Sequence, residues 1–260
     1  MTLKRALPAL TGMRETVSRA LGVLLVLTLS ACSSQDRATS PQEVRKLAGS
    51  SQAQKSRKTA EDHLRATVNA YAQGTPLVLG LVAVDDVCSG GKAREWFFQD
   101  GDDGYKIRCD LQVTAYYGAD PHRIADVLDG VLAAGDRYLS QEHPAPYASI
   151  PFNRQNGPSP LVDYYRGTGP NPNSPSTLEP TYLFADGQSL YWDTRRSSQK
   201  KLVSEATRFD SDPPVARCLR EPSSMTVEDI RKKYGMVFKL ELSQVIYYEV
   251  AKNGTVVTVL

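Results

Sequence analysis

Histidine is scarce in this chain of 260 residues: His63, His122 and His143 are all there are. None stands in an HExxH or HxH spacing, so the usual sequence marks of a zinc hydrolase are missing. A GxSxG elbow and a P-loop are missing as well, which removes the plainest signatures of a serine hydrolase and of a nucleotide-binding loop. Four cysteines occur, with no CxxC or Cys/His spacing that would hold a structural metal. Long apolar runs are also lacking. The run from Leu21 to Leu29 is nine residues, well short of the roughly 20 a helix needs to span a bilayer.

That short run is nevertheless the most informative stretch. Lys4, Arg5, Arg14 and Arg19 precede it, and Leu29-Ser30-Ala31-Cys32 ends it. A basic region, a short apolar core and small residues at the exit are the layout of an export signal. A start at Met13 would give that signal its more usual length. The sequence LSAC resembles the lipobox of bacterial lipoproteins. The resemblance implies cleavage before Cys32 and a lipid on Cys32, with the protein held at the cell membrane and facing outward. It covers the first 32 residues only. Acylation with more than one chain is what stable anchoring takes.

Removing residues 1–31 leaves 27 Lys and Arg against 28 Asp and Glu, so the +2 of the whole chain becomes −1. No basic excess remains to suggest nucleic acid. Cys88, Cys109 and Cys218 follow the lipidation site. Export favours disulfides. The expected pair is Cys88–Cys109, the two closest in sequence, with Cys218 buried as a small hydrophobe. Cys109–Cys218 is the alternative.

Residues 32–58 are polar and small, and are expected to form a flexible tether. Its 26 residues beyond Cys32 would hold a domain about 25–30 Å from the bilayer. The domain itself is expected over 59–260. Leu64, Val68 and Tyr71 share one helical stripe that Gly74 and Pro76 end. Leu77–Val87 reads as a buried strand. Trp96-Phe97-Phe98, the turn DGDDG at 100–104 and the alternating Tyr105–Val113 read as a hairpin with one wet face. DGDDG fails as an EF-hand loop, because its twelfth position is Leu111. Asp120-Pro121 opens a helix to 139 with Ile124, Val127, Leu128, Val131 and Leu132 on one side.

Nine of the 16 prolines fall within 140–180, which reads as a long loop partly packed on the domain. A second hairpin is expected at 182–192 around Asp186-Gly187, and short helices at 198–207 and after Thr226. A closing hairpin turns at Lys252-Asn253-Gly254. The fold class is therefore α+β: a largely antiparallel sheet with helices 59–73 and 121–139 on one face. Hairpin followed by helix occurs twice, at 94–139 and 182–250, so two related halves are an open alternative.

Asp85-Asp86, with Asp102 or Asp103 across a sheet, are the carboxylates that could supply a general acid and base, against the alternative of solvated turns and strand ends. Asp85 and Asp86 are adjacent on one strand and so point to opposite faces, which prevents them from acting together. The aromatic doublets are the richer signal. In a strand, one member of a doublet enters the core and the other faces away. Trp96, Tyr165 and Trp192 are the expected ligand-binding residues on this reasoning, against the alternative of plain cross-strand packing. No catalytic residue, metal ligand or cofactor is expected. The expected function is a non-enzymatic binding or accessory role in the envelope, for a protein partner or a small apolar ligand. Two others compete. A carrier would need a dry cavity of several hundred cubic ångström between sheet and helices. A hydrolase would need convergent titratable groups in a cleft. A packed core with an exposed aromatic patch would favour the binding role.

Overall fold

The computed structural model describes residues 37–92, 103–139, 152–154, 159–174, 178–185, 187–195, 202–205 and 212–257. It is an α+β fold built on one antiparallel sheet. In chain order the described elements are α1 (Pro41–Ala48), α2 (Ser51–Gly74), β1 (Val78–Gly90), β2 (Tyr105–Ala119), α3 (Ile124–Leu139), α4 (Ser159–Arg166), β3 (Tyr182–Ala185), β4 (Gln188–Trp192), β5 (Val215–Glu221), α5 (Val227–Tyr234), β6 (Met236–Ala251) and β7 (Val256–Val257). The sheet order is β3-β4-β6-β2-β1-β5, with β7 paired to the far end of β6. Strands from both segments of the sequence echo share this single sheet, with β6 lying beside β2.

Period-two burial sorts each strand onto two faces. Val82, Val84, Asp86 and Cys88 of β1 face inward, as do Ile107, Cys109, Leu111, Val113, Ala115 and Tyr117 of β2. Phe238, Leu240 and Leu242 of β6 join them. Helices α1, α2, α3 and α4 cover this face, through Val44, Leu64, Val68, Tyr71, Ile124, Leu128 and Leu161 among others. The opposite face carries a smaller cluster. There Ile230 and Val227 of α5 pack on Leu81, Tyr116 and Val237, with Val203 at the rim. The helix expected after Thr226 is α5: Thr226 and Asp229 form a reciprocal capping box, and Gly235 ends the helix at φ 90°.

Four expectations are corrected. The tether is the first. Residues 41–48 and 51–74 are helical, so folded chain begins well before Thr59. Ser40 and Ser50 cap the two helices by accepting from Glu43 N and Ala53 N. Val44, Ala48, Ala53 and Ser56 are buried against the sheet. Small residues here let the start of α2 approach the strands closely, and that is why the segment looks too polar to pack.

The second is the hairpin. The described partners of β2 are β1 along one edge (Cys88 opposite Cys109) and β6 along the other, neither of them the expected 94–99. Residues 93–102 themselves, with Trp96, lie outside the described residues. The third is Cys218. It is exposed on β5, on the side away from the core, while Cys88 and Cys109 form the disulfide. Its strand is a sheet edge, so its outward position meets solvent rather than a second layer. The fourth is the helix at 198–207: Leu202–Glu205 is not helical, and the flanking residues lie outside the described set.

Within 140–180 the described residues include a helix, α4, and the buried Phe152 and Asn153. A proteolysis test follows from the packing of α1. Trypsin is expected to leave Arg45, Lys46, Lys55, Arg57 and Lys58 uncut in the folded protein. Val44→Asp, which places a charge at a fully buried site, is expected to make Arg45 and Lys46 early cleavage sites. Equal cleavage of the unsubstituted chain would contradict the docked helix.

Candidate functional site

Two buried polar clusters and one exposed aromatic face stand out from an otherwise apolar fold. The first cluster centres on Asp86, whose side chain is fully buried beneath α2. Arg57 Nε lies 2.7 Å from Asp86 Oδ2. Its N–H is directed to Tyr247 Oη at 3.2 Å, and that hydroxyl donates to Asp86 Oδ1 at 2.8 Å. The disulfide sulfur of Cys88 is 3.5 Å from the same hydroxyl. Arg217 stands 3.9 Å from Asp86 and donates to Glu61 at 3.0 Å. Glu61 also accepts from Arg65, which bridges to Glu221. Arg57, Glu61 and Arg65 recur every four residues, so they form one charged stripe on α2 facing β1 and β5.

Burial dominates the electrostatics. It raises the Asp86 carboxyl above its ordinary value, outweighing the Tyr247 hydrogen bond and the Arg57 charge. Burial, then the Asp86 charge, pushes the Tyr247 phenol upward. For Arg57, burial disfavours the cation, but Asp86 and Tyr247 more than offset it and its pKa is raised. These groups are closed in by α2 and spent on one another. Asp85 is on the other side of β1, as strand alternation requires.

The second cluster is centred on Asp193, just past β4. Its Oδ1 accepts from Val203 N at 2.6 Å and Arg231 Nη2 at 3.1 Å. Its Oδ2 accepts from Val237 N at 2.9 Å and Arg231 Nε at 3.0 Å. One carboxylate thus ties together α5, β6 and the 202–205 segment.

Tyr165 and Trp192 are brought together, but inside the core. Trp192 Nε1 donates to Tyr165 Oη at 3.0 Å, and Tyr165 donates to the Pro180 carbonyl. Trp192 stacks on Phe238 with ring centroids 5.8 Å apart. Neither faces solvent, so the expected ligand contacts at these two residues are corrected to core packing. The doublet rule itself explains the outcome. Trp192 is the inward member of its pair, and Tyr191 is the outward one.

Tyr191 belongs to an open aromatic face at the β3 edge. Phe184 meets Tyr182 at 5.1 Å and Tyr191 at 5.9 Å between centroids. Tyr182 is 47% exposed and Phe184 57%. Lys239 Nζ stands 4.8 Å from the Tyr191 centroid and pairs with Glu241 at 2.8 Å. Among the described residues β3 pairs only with β4, so its outer edge is unpaired there. Tyr182 and Phe184 were readable as alternating strand residues. Which side of that strand met solvent was not readable.

Apolar space is limited. The seam between the helices and the sheet, lined by Tyr71, Leu77, Tyr117, Val131, Phe152 and Leu190, leaves no room for a water molecule. A groove of about 410 Å³ runs beside Arg65, Val68, Leu79, Val82, Glu221 and Pro222. Of the histidines, His63 is half-buried on α2 and His122 is exposed ahead of α3. His143 lies outside the described residues. Among the described residues, no group of three or more His, Cys, Asp or Glu is placed to hold a metal ion, and no helix is long and apolar enough to cross a membrane.

No protein-family model, curated protein or solved structure matches this chain.

Proposed function

We propose that this is an exported protein, anchored in the cell membrane through Cys32, that works by non-covalent recognition of a protein partner in the envelope. The observation that carries this reading is the aromatic face of Tyr182, Phe184 and Tyr191. Two of its rings are about half exposed on a domain whose core seam is closed. Exposed aromatic surface beside a strand edge with no partner among the described residues suits an extended polypeptide, which can pair with the edge while its side chains meet the rings. The carrier reading has less support, because the seam where its ligand would sit is filled. The groove beside Arg65 and Pro222 is the feature that keeps a small-ligand reading in play.

A photoreactive phenylalanine at position 184 of the full chain, in intact cells, tests the proposal. Position 224, exposed beyond β5, is the control. An adduct from 184 and not from 224, reduced at least about tenfold by Tyr182→Ala, is expected for a ring that acts as a binding anchor. Equal labelling from both positions would contradict it. A small molecule co-purifying with the full chain in native mass spectrometry, with no adduct from 184, would make the carrier reading the better one.

A further inference from the structure

Hydrogen bonds at the ends of β4 fix which way β3 presents its backbone. Trp192 N donates to the Thr181 carbonyl at 3.0 Å, so Thr181 and Trp192 are a hydrogen-bonded pair. On the other side of β4, Asp193 N donates to Val237 O at 3.1 Å and Ser243 N to Gly187 O at 2.8 Å. Bonded and non-bonded pairs alternate in an antiparallel ladder. Odd-numbered residues of β4 are therefore bonded to β6, and even-numbered ones to β3. Carried along the β3–β4 register, the bonded partners are Leu183 with Leu190 and Ala185 with Gln188. Tyr182 and Phe184 occupy the alternate positions. Their N–H and C=O groups point to the outer edge, where β3 has no partner among the described residues.

The same two residues carry the exposed rings. Strand edges are usually blunted by charge, proline or a bulge. β3 is Tyr-Leu-Phe-Ala, with neither charge nor proline, and its register with β4 is unbroken. The carboxylate of Glu179, upstream of it, accepts from Arg195 N at 2.9 Å. An incoming strand must therefore offer outward backbone groups on alternate residues, apolar rings on those same residues, and no charge. β3 of a second copy offers all three.

We infer, on the reading of this face as a recognition site, that its occupant is a second copy of this chain, paired β3 to β3 in antiparallel about a two-fold axis at Leu183. Tyr182 then lies opposite the second copy's Phe184, and Phe184 opposite the second copy's Tyr182. Each pair exchanges two hydrogen bonds, and the four rings share one face of a sheet continuous through both copies. A one-residue slip would set outward groups against inward ones. An axis at Tyr182 would bring Pro180, which has no N–H, opposite Phe184. An axis at Phe184 would run Tyr182 against Asp186, beyond the strand's last residue. About Leu183, the two copies of Asp186 fall six residues apart along the strands, about 20 Å. An isologous contact closes on itself, so the pairing stops at two copies. Half-exposed rings offer on the order of 100 Å² each, a small contact beside the roughly 800 Å² per partner of a standard interface. The dimer is thus an exchanging one, and covalent capture is its readout.

Two differently tagged versions of the full chain are co-expressed in intact cells, one with the photoreactive phenylalanine at position 184. The expected adduct has the mass of two chains, carries the second tag and maps to 181–183 of the tagged copy. An adduct on another protein overturns the second copy as occupant and leaves the recognition reading standing. No adduct from 184 overturns both. A cross-link elsewhere in the second copy overturns the β3 pairing. Disulfide capture in full chains that carry Cys218→Ser reads the axis. Tyr182→Cys and Phe184→Cys both fall on exposed side chains, so the core is left intact. Copies with Tyr182→Cys mixed with copies with Phe184→Cys are expected to cross-link at least about fivefold more than either alone, because only the mixed pair is directly opposed. Equal or greater yield from either alone overturns the axis at Leu183.

Discussion

Asp86→Ala is expected to lower the stability of the folded chain by about 3–5 kcal/mol, because truncating one partner of a buried ion pair strands the other. Here the stranded groups are the Arg57 guanidinium and the Tyr247 hydroxyl. Arg57 keeps some contact with solvent, which favours the lower end of that range. Chemical denaturation measures it, and a loss below about 1 kcal/mol would show that the network is not holding α2 to the sheet. Asp86→Asn separates charge from shape. Burial raises the folded carboxyl above its ordinary 3.8, so over that interval the folded state binds more protons than the unfolded one. Stability from this group is then fully present below 3.8 and is lost as pH rises through the raised value. The stability advantage of the unsubstituted protein over Asp86→Asn is expected to shrink as pH rises through that window. An advantage that grows with pH would mean that Arg57, Arg217 and Tyr247 outweigh burial and the nearby Glu61.

The second large effect is at Asp193. Asp193→Ala removes four hydrogen bonds at once, two of them to the buried backbone N–H groups of Val203 and Val237. It also leaves Arg231 without its bidentate partner. An unsatisfied buried donor costs about 1–3 kcal/mol, and a stranded charge more, so a total near 4 kcal/mol is expected. At about 2–4 °C per kcal/mol for a chain of this size, the melting temperature falls by roughly 8–16 °C. Asp193→Asn retains one acceptor oxygen and is expected to lie between. Amide exchange at Val203 and Val237 is the local readout, and unchanged protection there would contradict the role assigned to this carboxylate.

The buried role of neither carboxylate was marked in the sequence. Asp86 reads as one half of a polar doublet at the end of an apolar run, and Asp193 as a turn residue after a strand. Their partners come from 29 to 161 positions away for Asp86, and from 10 to 44 for Asp193. No local spacing encodes such encounters. The aromatic face divides the same way. Alternation places Tyr191 and Trp192 on opposite sides of β4. Only the pairing of β4 with β6 sets Trp192 beside Phe238, while the β3–β4 pairing sets the half-buried Tyr191 beside the exposed Phe184.

The N-terminal helices were partly legible. Ser40-Pro41 and Ser50 are helix-start signals, and the stripe of Leu64, Val68 and Tyr71 extends upstream through Ala53, Ser56 and Ala60. Small residues register weakly as hydrophobic, so the extension reads as spacer. Close approach to a sheet is what makes them core residues. Hydrophobic period, turn chemistry and caps are local, and by themselves they determined the strands β2, β3, β4 and β6, helices α3 and α5 and the α+β class; closeness in sequence favoured Cys88–Cys109 but left Cys109–Cys218 open, and the β1–β2 register decided between them. The sheet order, the partner of β2, the exposure of Cys218, the docking of α1 and the two buried carboxylate clusters were decided only by tertiary structure. Each depends on which distant apolar surfaces meet, and on the buried charges that must then find partners at that contact.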